Sequence, residues 1–291
     1  MKILITGANG QLGSEIREKA VRFSGFRFVF TDIRELDLTD RAAVERLMEQ
    51  ESPDFLLNCA AYTAVDVAES DDELAGLLNM KIPGWLGKIT KSKGCRMIHV
   101  STDYVFDGTA CLPYKESDMV NPESVYGKTK LNGEISLLRE NPEAIIIRTA
   151  WLYSAYGTNF VKTMIRLGQE RDELKVVYDQ VGTPTYAGDL AEAILNIVSG
   201  AAKDIGNWKP GIYHYSNEGV CSWYDFARAV HEFSEINCRV HPVTTDEYPT
   251  PARRPAFSVL NKSKIKRVFK LEIPYWRDSL RICVEDIKRL K

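Results

Sequence analysis

Through the first half of the chain, short apolar runs rich in Ile, Val, Leu and Phe alternate with stretches whose apolar residues recur every three or four positions. The runs predict strands at Lys2–Thr6, Arg27–Asp32, Asp54–Ala60, Cys95–Thr102 and Ala144–Thr149. The periodic stretches predict helices over Gln11–Val21, over Arg41–Gln50 capped by Asp40 or Thr39, over Asp71–Lys93 with an interruption at Pro83, and over Val125–Arg139. Unbroken apolar strands alternating with helices are the mark of βαβ units around a parallel sheet buried on both faces. After Trp151 the alternation loosens and Pro, Gly and aromatic residues become denser. Helical patterns recur there at Asn159–Gln169, Gly188–Ser199, Ser222–Ser234 and Arg277–Lys288, with strand-like pieces at Lys175–Tyr178 and Ile212–Tyr215. The expected fold is therefore α/β, a doubly wound parallel sheet with a smaller C-terminal lobe. Residues 1–150, joined by part of 185–215, make the sheet domain, and 151–291 make most of the second lobe.

Composition narrows the function classes. The 291 residues carry 38 Lys and Arg against 40 Asp and Glu, a net charge of −2 that argues against general affinity for nucleic acid or anionic membranes. The first strand is too short for a signal-peptide core and no apolar run reaches spanning length, so a soluble, cytoplasmic chain is expected. Six cysteines at wide, irregular spacing read as buried thiols, not as a disulfide frame or a zinc site. The four histidines form no ligand pair, and His99, inside a strand run, reads as a hydrogen-bonded core residue, so no metal site is indicated.

Chemistry enters with the turn after the first strand. Gly7, Gly10 and Gly13 make a GxxGxxG pattern that opens a helix. Glycines let the backbone approach a pyrophosphate, which then sits on the unpaired N–H groups of the helix start. Asp32 ends the second strand 19 residues after Gly13, where a carboxylate can accept from adenosine ribose hydroxyls, or simply cap a turn. A carboxylate there repels a 2′-phosphate and leans the cofactor toward NADH, although Arg34 can balance it for NADPH. At the end of the fourth strand stands Ser101-Thr102-Asp103-Tyr104-Val105-Phe106-Asp107-Gly108, and 24 residues beyond Thr102 come Tyr126 and Lys130 on one helix face. A phenol is a poor acid at neutral pH unless a cation favours its phenolate, and Lys130 supplies one. Tyr126 can then give a proton to a carbonyl oxygen that also accepts from Thr102.

Glycine turn, acidic strand end, Thr102 and the YxxxK of Tyr126 and Lys130, in this order, resemble the extended short-chain dehydrogenase/reductase family, which implies a Rossmann-type sheet with a smaller substrate lobe. Further stretches are similar to the dTDP-4-dehydrorhamnose reductases within it: Asn58 to Glu69, Ser101 to Gly108, Arg148 to Tyr153 with Asn159, Asp179 to Thr185, and Arg254-Pro255. The resemblance runs nearly the whole chain and implies NAD(P)H-dependent reduction of a nucleotide-sugar 4-ketone. It implies that Thr102, Tyr126 and Lys130 are catalytic. It implies a cofactor site from Gly7, Asn9, Gly10, Gln11, Leu12, Gly13, Asp32, Arg34, Asp37, Leu38, Cys59, Ala60, Ala61, Tyr62 and Asn79, with Tyr126 and Lys130 at its nicotinamide end. Thr63, Val65, Thr102, Asp103, Tyr104, Trp151, Asn159 and Gln180 fall to the substrate, and Arg254 to its diphosphate. Related dehydratases carry Glu where Tyr104 stands, which removes an acid that elimination needs. A 4-epimerase, another 4-ketoreductase, and a non-catalytic subunit like that of methionine adenosyltransferase stay open. So do a homodimer and the Mg²⁺ that bridges subunits in some members.

Overall fold

The computed structural model describes residues 1–290. Along the chain run β1 (Lys2–Thr6), α1 (Gln11–Ala20), β2 (Arg27–Thr31), α2 (Arg41–Glu51), β3 (Phe55–Asn58), α3 (Val65–Ala68), α4 (Asp72–Gly76), α5 (Ile82–Ser92), β4 (Arg96–Thr102), α6 (Val125–Glu140) and β5 (Ile145–Thr149). The rest comprises β6 (Leu152–Tyr153), α7 (Phe160–Glu170), β7 (Glu173–Val177), β8 (Val181–Gly182), β9 (Thr185–Tyr186), α8 (Ala187–Lys203), β10 (Gly211–His214), β11 (Cys221–Ser222), α9 (Trp223–Ser234), β12 (Arg239–Val243), α10 (Ser263–Phe269) and α11 (Trp276–Arg289).

Six strands form one parallel sheet in the order β10-β5-β4-β3-β1-β2. The apolar runs become its buried strands: Phe55, Leu56 and Leu57 of β3 and Ile145, Ile146 and Ile147 of β5 are at most 1% exposed. One face packs under α1 and α8 through Ile3, Ile5, Ile16 and Ile194; the other packs under α2, α5 and α6 through Leu4, Met48, Leu86 and Leu137. The chain leaves β1 for β2 on one side and meets β3 on the other, so the strand order reverses at β1. In open sheets of this kind the crevice beyond the strand ends at that reversal is where ligands bind. A second apolar cluster joins α7, α9 and α11 around Tyr153, Phe226, Trp276 and Leu280, and β7 pairs in parallel with β12 beside it.

Two expectations are corrected. The helix expected to break at Pro83 instead passes through a π turn at Leu77–Lys81, and α5 resumes from Ile82 with Pro83 in its first turn. Proline is tolerated there because the first N–H groups of a helical turn need no partner within it. The wider turn also brings α6 close, since a Cβ on Gly133 would lie 1.9 Å from the Asn79 carbonyl oxygen. Among the cysteines, Cys111 is exposed and Cys59 half-buried, the other four being buried thiols. Cys111 lies in the irregular segment between Val105 and α6, where no apolar face covers it.

Candidate active site

The glycine turn owes its shape to close backbone packing. Gly7 has φ +67°, and a Cβ on it would meet the Ala60 nitrogen at 2.7 Å; a Cβ on Gly13 would meet the Gly7 oxygen at 2.4 Å. Gly10 precedes α1 without any side chain capping the helix, so the N–H groups of its first turn stay open to an anion. Asp32, at the end of β2, accepts the Asn9 N–H at 2.8 Å on one oxygen and the Ile33 N–H at 2.8 Å on the other. The carboxylate thus anchors the turn and retains lone pairs for a further donor.

Thr102 and Tyr126 meet because α6 starts against the backbone of Tyr104. Ser124 caps α6 by accepting the Gly127 N–H at 3.1 Å, and a Cβ on Gly127 would lie 2.3 Å from the Tyr104 oxygen. The Tyr126 ring packs edge-on to Tyr104 at 5.4 Å between centroids. Thr102, which lines the same cavity, donates its hydroxyl to Asp103 Oδ1 at 3.1 Å and accepts the Tyr104 N–H at 3.2 Å. Burial pushes the Tyr126 phenol up to about 12, with the Thr102 hydrogen bond opposing and the Asp103 charge adding. Burial likewise raises the Asp103 carboxyl to about 6, offset in part by the hydroxyls of Ser258 and Thr102.

Lys130 is 1% exposed and donates to the Val100 carbonyl at 2.6 Å. Burial lowers it to about 8 against the opposing charge of Glu134. Its Nζ is thus turned to the β4 backbone, and burial leaves the Tyr126 phenol above its ordinary value.

One cavity of about 1000 Å³ gathers these groups. Gly7, Asn9, Gly10, Gln11, Leu12, Asp32, Asp37, Leu38, Cys59, Ala60 and Ala61 line it, as do Thr102, Tyr126 and Lys130. Thr63, Val65, Asp103, Tyr104, Trp151 and Asn159 also face it. Asn159 joins the two parts of the chain: its amide donates to Gln11 Oε1 at 3.0 Å while its Oδ1 caps α7.

Other expected residues stand behind or beside that lining. Gly13 is consumed in packing, and Arg34 is exposed, with no ion pair among the described residues. Asn79 is fully buried and clamps the Tyr62 backbone, accepting its N–H at 2.9 Å and donating to its carbonyl at 3.0 Å; the Tyr62 hydroxyl turns to Asp71. These two hold the Cys59–Thr63 segment in place. Gln180 donates to the Thr245 hydroxyl at 3.1 Å, away from the cavity. Arg254, expected at the substrate diphosphate, forms a two-pronged pair with Asp66 at 3.0 and 2.7 Å, which holds the Asp66 carboxyl below its ordinary value.

Sequence reasoning missed Trp223, which stacks on Trp151 at 3.6 Å and also lines the cavity. The two lie 72 positions apart, with no periodic signal that would pair them. Trp151 adopts φ +48°, rare for a bulky residue, and Gly182 is needed beneath it because a Cβ there would lie 2.7 Å from the indole. His99 was read as a hydrogen-bonded core residue and is one, with Asn58 at 3.0 Å. Among the described residues no group of acidic, His and Cys side chains could hold a metal ion, and no helix is long and apolar enough to cross a membrane.

A parallel sheet reversing at β1, an uncapped helix start behind a glycine turn, and Thr102, Tyr126 and Lys130 in one cavity define a short-chain dehydrogenase/reductase of Rossmann type. A family model described as RmlD substrate binding domain matches residues 1–289, and the chain belongs to that family. It is 40% identical to a dTDP-4-dehydrorhamnose reductase of Burkholderia thailandensis over 99% of both chains. Among solved structures it is similar to a Clostridium acetobutylicum dTDP-4-dehydrorhamnose reductase (44% identity, 99% of this chain and 100% of that one, TM-score 0.92). The Bacillus anthracis dTDP-4-dehydrorhamnose reductase in complex with NADP matches at 36% identity over 98% and 99% of the two chains, with a TM-score of 0.91.

Proposed function

We propose that this chain reduces the C4 ketone of dTDP-4-dehydro-6-deoxy-L-mannose (dTDP-4-dehydrorhamnose) with NAD(P)H, giving dTDP-L-rhamnose. The observation that carries the reading is the gathering of Thr102, Tyr126 and Lys130 in the same cavity as the glycine turn. A nicotinamide cofactor, when bound, supplies the hydride. The open N–H groups at the start of α1 suit its diphosphate, the Asp32 carboxylate suits its adenosine ribose, and Lys130 suits the nicotinamide ribose. Thr102 and Tyr126 together hold the ketone oxygen, and Tyr126 gives it a proton as charge develops there. Tyr104 and the stacked pair of Trp151 and Trp223 offer the sugar apolar and aromatic walls.

Oxidation of NADH or NADPH by the purified chain, followed at 340 nm with the 4-keto sugar nucleotide generated in situ, tests this. Absence of oxidation with saturating cofactor counts against it. Asp32 favours NADH, because a second negative charge next to its carboxylate is repelled. Asp32→Ser is expected to raise the NADPH-to-NADH ratio of kcat/KM about tenfold, equivalent to about 1.4 kcal/mol. An unchanged ratio would remove Asp32 from cofactor selection.

A further inference from the structure

Behind the Tyr126 and Lys130 pair a file of buried polar side chains crosses three adjacent strands. Thr6, Asn58 and His99 are register partners on β1, β3 and β4, each 1% exposed. The Thr6 hydroxyl donates to Asn58 Oδ1 at 2.7 Å. That leaves the amide N–H for His99, and Asn58 Nδ2 lies 3.0 Å from His99 Nδ1. An amide NH₂ only donates, so Nδ1 accepts. Burial and the charge of Lys130 hold the His99 imidazole well below its ordinary value, so it is neutral and carries its single proton on Nε2. Nε2 lies 3.5 Å from Lys130 Nζ.

An ammonium has no lone pair with which to answer an N–H, whereas an uncharged amine has one. The other neighbours of Lys130 do not cancel this. Val100 of β4 offers a carbonyl, which both forms of the nitrogen can donate to. Glu134, one turn further along α6, is committed to Arg148 of β5 at 2.7 Å and to the Ser101 hydroxyl of β4. Tyr126 lies one turn before Lys130, and the Asp103 charge acts on Tyr126.

We propose that His99 is a positioning residue for proton transfer at this site: fixed by Asn58 with its proton on Nε2, it turns an N–H toward Lys130 and favours the form of Lys130 that has passed its proton to Tyr126. The inference rests on the reductase reading. When the Tyr126 O–H bond breaks and the proton goes to the ketone-derived oxygen, the phenolate regains a proton that originates on Lys130 Nζ and passes through a hydroxyl or water in the cavity both residues line. The neutral amine left behind accepts the His99 Nε2–H bond, and Lys130 takes its next proton from water after product leaves. Thr6, which lines the cavity beside the glycine turn, ends the file at the cofactor side.

Two measurements test it. In the ¹⁵N-labelled wild-type protein, long-range ¹H–¹⁵N correlation of the four histidines, with His99→Gln assigning the signal, is expected to find the proton on Nε2 and Nδ1 bare. A proton on Nδ1 would overturn the proposal. Because this readout needs no turnover, it stands apart from the reductase reading. Asn58→Asp replaces the donor to Nδ1 with an acceptor, so the proton moves to Nδ1 and Nε2 can accept from the ammonium. The basic limb of the kcat pH profile is then expected to rise by about one unit, and not to rise when the same change is made in a His99→Leu background. An unmoved limb, or an equal rise without His99, would contradict the proposal, and if Asn58→Asp does not fold the tautomer measurement decides.

Discussion

Tyr126→Phe is expected to lower kcat by about 10³-fold while cofactor affinity stays within about twofold, because it deletes the proton donor and little else. The ring keeps its edge-on contact with Tyr104 and its place at the head of α6, so the cavity retains its shape. The loss falls on kcat because the proton is needed only as charge develops on the ketone oxygen, not when the sugar binds. Thr102 stays in place through the Tyr104 N–H that it accepts, and by turning its one proton from Asp103 to the ketone oxygen it supplies the residual stabilisation. Stopped-flow or steady-state oxidation at 340 nm, with cofactor titrated separately by fluorescence, reads both quantities. Activity within about twofold of wild type would remove Tyr126 from the chemistry.

The largest effect on stability is expected at Arg148. It meets Glu134 through two nitrogens at 2.7 and 3.0 Å, both side chains at most 3% exposed, with the Ser101 hydroxyl on the same carboxylate. Arg148→Leu leaves a carboxylate in a dry interior without its counter-ion, at a cost of about 3–5 kcal/mol in unfolding free energy. Removing both members in Arg148→Leu with Glu134→Leu is expected to recover much of that, since the greater part of the loss is an unpaired buried charge. Urea unfolding of the two variants and the wild type measures it. A loss below about 1 kcal/mol for the single variant would mean that water reaches Glu134.

The parts of the molecule that were legible in the sequence are those whose signals are local. Strands β1 to β5 announce themselves because a strand buried on both faces must be apolar at successive positions, as Phe55-Leu56-Leu57 and Ile145-Ile146-Ile147 are. The glycine turn and the Tyr126 and Lys130 pair are equally short-range: a turn opening a helix, and two side chains one helical turn apart. The π turn escaped because a proline at the start of α5 and a proline breaking a helix look alike until hydrogen bonds are known. Pairs such as Asp66 with Arg254, 188 residues apart, or Trp151 with Trp223, depend on how α3 and α9 pack. The pair of Asn58 and His99 depends on strand register, which residue spacing along the chain does not encode. The same holds for Lys130: its spacing from Tyr126 along α6 was visible, but the Val100 carbonyl to which its Nζ donates lies on β4.

The most direct test of the central claim follows the label and the cofactor together. The chain is incubated with the 4-keto sugar nucleotide and NADH or NADPH deuterated at the transferring position, and the product is read by NMR. The reductase account predicts one cofactor oxidised per sugar, deuterium at C4 and the L-rhamno configuration. Sugar inverted with no net cofactor oxidation, or cofactor bound with no sugar converted, would contradict it.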